Sequence, residues 1–177
     1  MWCNVPHVRS AWGCRSTPSC VTTYHMEILA GMLADAADAL NGKLYVHGGG
    51  WDSVVVRQFP AAHPSMALVA LLCADASEAP GAGELRVQLV DEDGNDLGVG
   101  AAAALGIGQG PLHRPGQRSL IPIAIPFTGI RFEHPGSYEF RLFWNEEALA
   151  PPVTFSVVTP PPMLSLGQPP PLQAGST

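Results

Sequence analysis

Lysine is nearly absent from this chain: Lys43 stands alone beside eight arginines, against fifteen carboxylates, for a net charge of −6. A chain so short of cations has no basic stripe to neutralise a phosphate backbone, so nucleic acid is excluded as an expected partner. No apolar run approaches the roughly 20 residues that cross a bilayer as a helix, and no polybasic segment offers docking on anionic lipid. The first residues lack an apolar stretch behind a positive start, so no secretory leader is expected and the location expected is cytoplasmic. A Gly-x-Ser-x-Gly elbow is missing as well, and so is any His-x-x-x-His or Glu-x-x-His pairing. Those absences remove the serine-hydrolase and zinc-protease patterns.

What is present is turn chemistry and apolar chain. Glycine (19) and proline (18) together exceed a fifth of the 177 residues, while 46% of the chain is hydrophobic. That combination disfavours a helical bundle and favours short strands joined by many turns, with length enough for one domain and its core. Residues 1–25 stand apart: they hold three of the four cysteines, two of the four tryptophans and no carboxylate. They read as an irregular extension or appended arm, with Met26 as the expected start of the domain. Residues 159–177 contain six prolines and no charge, which reads as an extended, polyproline-like tail suited to a partner's groove.

Between these ends, strands are expected at several places. The Asn41-Gly42 pair before "KLYVHG" is the strongest short hairpin signal. "SMALVALLCA" (65–74) is a continuous apolar run bounded by Pro64, which fits a strand buried on both faces. "ELRVQLVD" (84–91) places Leu85, Val87 and Leu89 on one side. "SLIPIAIPF" (119–127) carries Pro122 and Pro126, which lack backbone donors and suit an edge strand. "SYEFRLFW" (137–144) turns Tyr138, Phe140, Leu142 and Trp144 inward, and "VTFSVV" (153–158) closes the domain. "EILAGMLADAADAL" (27–40) is ambiguous: Ile28, Leu29, Met32, Leu33 and Ala36 match helical spacing, so the segment fits a helix as well as it fits a strand.

Four constellations invite a chemical reading. His47-Gly48-Gly49-Gly50 after an apolar strand imitates a lipase oxyanion hole, yet that motif has meaning only with the missing elbow, so the glycines are expected to bend or bulge the chain and Trp51 to pack over them. "DEDGND" offers Asp91, Asp93 and Asp96 as a weak calcium candidate; an EF-hand would need glycine and glutamate where Asp96 and Ala102 stand, and a tight hairpin explains the run better. Cys3, His7, Cys14, Cys20 and His25 contain no close Cys-x2-4-Cys pair to initiate a zinc site. Cys73 falls inside the apolar run and is expected to be an inert core thiol, while His63, His113 and His134 adjoin turns. No catalytic residue, cofactor ligand or metal site is therefore expected.

"MEILAGMLADAADALNGKLYVHGGGWDSV", "ELRVQLVDEDGNDLG" and "FEHPGSYEFRLFWNEEALAPPVTFSV" together resemble a family of small uncharacterised bacterial proteins over about residues 26–158. The Gly136-x-Tyr138 strand opening in the last block resembles the tyrosine corner of immunoglobulin-like sandwiches, whose hydroxyl bonds back to nearby backbone. The resemblance implies an all-β fold: one immunoglobulin-like or C2-like antiparallel sandwich of about eight strands, in which the first half of 27–40 is strand. It brings no activity and no site residue. The functional expectation is a non-enzymatic sandwich that acts by binding protein or by self-assembly through turn-rich edges. The alternative is a small-ligand or calcium-assisted module using the 91–96 turn.

Overall fold

A computed structural model describes residues 25–75, 81–107 and 118–160. Nine strands run through them: β1 (Met26–Leu40), β2 (Lys43–Trp51), β3 (Ser53–Val55), β4 (Ala61–Ala74), β5 (Gly81–Asp91), β6 (Asp96–Ile107), β7 (Ser119–Phe132), β8 (Gly136–Trp144) and β9 (Glu147–Val158). They form a four-stranded sheet in the order β2-β1-β4-β7 and a five-stranded sheet in the order β3-β9-β8-β5-β6. Every pairing is antiparallel except β3 with β9. The expected all-β class holds, with one strand more than the eight expected. β3 is only three residues long, too short for a period of two to announce it. Among the described residues no helix is long and apolar enough to cross a membrane.

The segment 27–40, whose spacing fitted helix and strand alike, is strand along its whole length, as the resemblance implied for its first half. Helical propensity in Ala and Leu is worth tenths of a kcal/mol per residue, and two flanking ladders outweigh it. One ladder pairs Met26–Ala34 with β4, and the other pairs Leu33–Leu40 with β2 through the Asn41-Gly42 turn. Both turn residues have positive φ, 52° and 72°, the conformation a two-residue hairpin of this kind requires.

The two sheets meet across one core. Tyr138, Phe140, Leu142 and Trp144 on β8 and Leu85, Val87 and Leu89 on β5 are all buried, as alternation predicts. Phe127 of β7 stacks on Phe140 at 4.9 Å between ring centres, and Phe132 meets Tyr138 edge-on at 4.9 Å, so aromatic pairs join the layers. The prolines also fall where their missing donors cost least. Pro122 and Pro126 lie on β7, the edge of its sheet, and Pro64 lies where β4 has already parted from β1.

The outward faces differ. The five-stranded sheet turns Arg86, Gln88, Glu139 and Arg141 outward, the usual alternation of a sheet packed on one side, with Val90 buried on that same face. The four-stranded sheet is apolar on both sides. Its inner rows hold Leu33, Met66, Leu68 and Leu72. Its outer rows pair Met32 with Val69 and Val69 with Ala124, then Ala30 with Leu71 and Leu71 with Pro122. Val69 and Cys73, which point away from the core, are nevertheless only 1% exposed. The doubly buried strand expected at 65–74 is thus the central strand of a doubly apolar sheet.

Candidate functional site

The glycine stretch lies within β2, where it bends the strand. Gly48 and Gly50 have φ of 61° and 88°, a region closed to most side chains. The β1–β2 register slips by one residue here, Leu33 facing Trp51 while Ala34 faces Gly49, so Gly50 is the bulged residue. The slip turns Trp51 back onto the core, with its ring 6.1 Å from that of His63. His47 is exposed opposite Ala36. The bulge is what the structural reading of His-Gly-Gly-Gly expects, whereas Trp51, expected over the glycines, packs against the core beside His63.

The acidic run forms the β5–β6 hairpin, and its carboxylates serve the turn. Asp91 accepts hydrogen bonds on Oδ1 from the N–H groups of Asp93 (3.0 Å) and Asn95 (2.8 Å), and on Oδ2 from the Asn95 side-chain amide (3.0 Å). Its own backbone bonds Asn95 and Gly94. The Asn95 amide, ahead of the backbone donors, holds the Asp91 carboxyl below its usual range. Asp96 likewise accepts from the Gly98 N–H at 2.8 Å. Asp91 and Asp96 thus spend acceptors within the hairpin, and among the described residues no three His, Cys, Asp or Glu side chains converge as a metal-holding group.

Beside Asp91, on the central strand β8, the Tyr138 hydroxyl donates to the His134 carbonyl at 2.7 Å, the local back-bond expected at this strand opening. Burial, then the charges of Asp91 and Glu92, raise its pKa. Cys73 is a buried free thiol whose pKa burial also raises, which fits an inert thiol, although it lies on the outer side of its sheet and not in the core expected of it. Of the cysteine and histidine set near the N-terminus, His25 alone lies within the described residues. His113 and nearly all of the proline-rich tail also fall outside them.

Two arrangements escaped the sequence reading. Arg118 joins Glu27 (2.5 Å) and Asp75 (3.2 Å), and His25 lies 3.7 Å from Asp75, so charges far apart in the chain gather at one end of the four-stranded sheet. No local pattern announces such a meeting. The other is an arm. Beyond Ala34, β1 is paired with β2 alone. From Asp35 to Gly50 nearly every residue is exposed whichever way it points, including Leu40 (59%), Tyr45 (49%) and Val46. The edge strand β6 is also open: Leu97–Ile107 carries no charge and no proline, and its far side pairs with no described strand.

Comparison with known proteins adds a family and little else. No curated protein matches the chain. Among solved structures, the Pseudomonas fluorescens alkylpurine DNA glycosylase AlkC bound to DNA containing an abasic site analog is similar over 75% of this chain, at 13% identity and a TM-score of 0.44. The matched part is 30% of that enzyme's chain, and the likeness is too distant to argue from. A family model covers residues 29–154, the whole sandwich but its outermost residues, and on that match the chain belongs to the family of unknown function DUF6941.

Proposed function

We propose that the protein is a non-enzymatic, immunoglobulin-like sandwich that works by binding protein, copies of itself included, in a bacterial cytoplasm. The immunoglobulin-like part of the reading is supported by topology. β4 and β7 stand as the B and E strands do, and β9, β8 and β5 as G, F and C, with the tyrosine corner opening β8. The parallel β3–β9 pair brings the first part of the chain across to the second sheet.

The observation that carries the binding reading is the Asp35–Gly50 arm. An isolated two-stranded ribbon is marginally stable in water, and this one holds Leu40, Tyr45 and Val46 out to solvent. A ribbon of that composition gains stability when a partner covers it. The non-enzymatic part of the reading is supported by the absence of an elbow sequence and by the use of His47 and the glycines within a bent strand.

The test is a pull-down with the full chain beside a Leu40→Glu, Tyr45→Glu double variant, with light scattering of both. The reading expects a defined partner or oligomer with the parent chain that is lost or weakened at least about tenfold in the variant, a cost of about 1.4 kcal/mol. A strict monomer that retains no protein counts against it.

A further inference from the structure

We infer that the open edge of β6 is a self-association strand, to which the β6 of a second copy adds antiparallel, so that the two five-stranded sheets run on as one. The inference rests on the binding reading above and names its surface and its occupant. An unpaired edge strand offers a row of backbone donors and acceptors to any extended chain, and folded proteins blunt such edges with proline, charge, bulges or shortness. The other edges here are blunted. β7 carries Pro122 and Pro126, β3 is three residues long, β2 bulges at Gly50, and β1 bears Asp35 and Asp38 where it has left β4. β6 has no such device from Val99 to Ile107. That stretch holds no charge, no proline and no positive φ, and its ladder with β5 runs from Gly100 to Ile107 without a slip. Among the described residues, no strand pairs with its far side.

Three observations select a second copy as the occupant. The first is the side chains. Ala101 and Ala103 lie opposite the core residues Val87 and Leu85, so the odd-numbered residues of β6 face the core side, where Val99 and Leu105 pack on the core yet are only half-buried. A twofold axis at Ala103, the midpoint of the stretch, sets Val99 against Ile107 and Ala101 against Leu105 of the second copy, which carries the apolar row past the edge. On the outer face the same register sets Gly100 against Gly106 and Ala102 against Ala104, so neither bulk nor charge obstructs it. The second is net charge. Each chain carries −6, and two such chains repel least through a strand that bears no charge. The third is closure. Two β6 strands pair about a twofold axis and leave no unblunted edge, whereas β6 paired with the arm of another copy leaves one of each free at the ends and grows a filament. A pair of this length makes about eight backbone hydrogen bonds, within the range of a whole protein interface.

Sedimentation velocity of the full chain from about 1 to about 100 μM tests this. The expected result is a mass moving from 18.6 kDa toward twice that value. Ala103→Lys tests the surface. Position 103 is exposed in the single chain, so the ammonium reaches water there, but pairing sets two ammonium groups against each other on the axis beneath the joined sheet, and the dimer should weaken at least about tenfold. If far-ultraviolet circular dichroism shows that this variant misfolds, amide exchange of the parent decides: the Gly100–Gly106 amides that point away from β5 should gain protection between the two concentrations. A parent chain that stays monomeric at about 100 μM overturns the inference, as do β6 amides whose exchange ignores concentration. A dimer indifferent to a folded Ala103→Lys chain but dissolved by Leu40→Glu, Tyr45→Glu overturns it too. That outcome leaves the binding reading standing, because the partner surface is then the arm.

Discussion

The Tyr138 hydroxyl shows how a single side chain ties a strand to the turn before it and sets a pH dependence. Tyr138→Phe leaves the ring in its cluster with Phe132 and Phe155 but removes the donor to the His134 carbonyl. A lost buried hydrogen bond of this kind costs about 1–2 kcal/mol, to be read from urea unfolding near neutral pH. Burial raises the phenol's pKa in the folded state. Its contribution is therefore complete below the unfolded value of about 10 and drains as pH rises beyond it, because the unfolded chain ionises first. The phenylalanine variant should accordingly lose less stability than the parent on alkaline titration. Asp91 has the opposite sign. Its carboxyl is held low chiefly by the Asn95 amide, so its contribution is present above the unfolded value of about 3.9 and is lost as pH falls through the lower folded value. Asn95→Ala should flatten the acid limb of the Tm profile below about pH 5, and a variant whose acid limb matches the parent's refutes this role.

At the level of strands, β4 and the arm are expected to mark the two ends of the stability range. Amides of β4 from Leu68 to Leu72 sit between β1 and β7 with both faces covered, and should exchange with solvent only on global unfolding. Amides from Ala36 to Leu40 and from Lys43 to His47 have one neighbouring strand and no covering layer, and should exchange orders of magnitude faster. Equal protection of the two sets would remove the arm as a separate element. The same contrast explains what was legible in the sequence. Alternation at 84–91 and 137–144, the Asn41-Gly42 turn, the edge prolines of 119–127 and the unbroken run of 65–74 each express a local rule, and each lies where that rule puts it. The 27–40 segment defied local rules because its pairing partners lie elsewhere in the chain, at 67–74 and 43–51. β3 and β6 were missed for want of pattern: three residues in one case, Ala and Gly on both faces in the other. The Arg118 network, the arm and the outer apolar face depend on which strands become neighbours, and spacing along the chain does not carry that information.

For the molecule as a whole, the asymmetry between the sheets has a measurable consequence. Gln88 and Val69 both point away from the sandwich core, Gln88 on β5 and Val69 on β4. On an ordinary sandwich both are solvent positions, and truncation of either shifts stability by no more than about 0.5 kcal/mol. Here Val69 is 1% exposed, so Val69→Ala removes two buried methyl groups and should cost about 1–2.5 kcal/mol, while Gln88→Ala stays within the surface range. Urea unfolding of both variants at one protein concentration reads the difference. Val69 is buried within the single chain, so the Val69→Ala penalty should be independent of protein concentration, as should the Gln88→Ala difference; a penalty that grows with concentration would place part of the covering in association. A penalty as small as that of Gln88→Ala would mean that the face tolerates water.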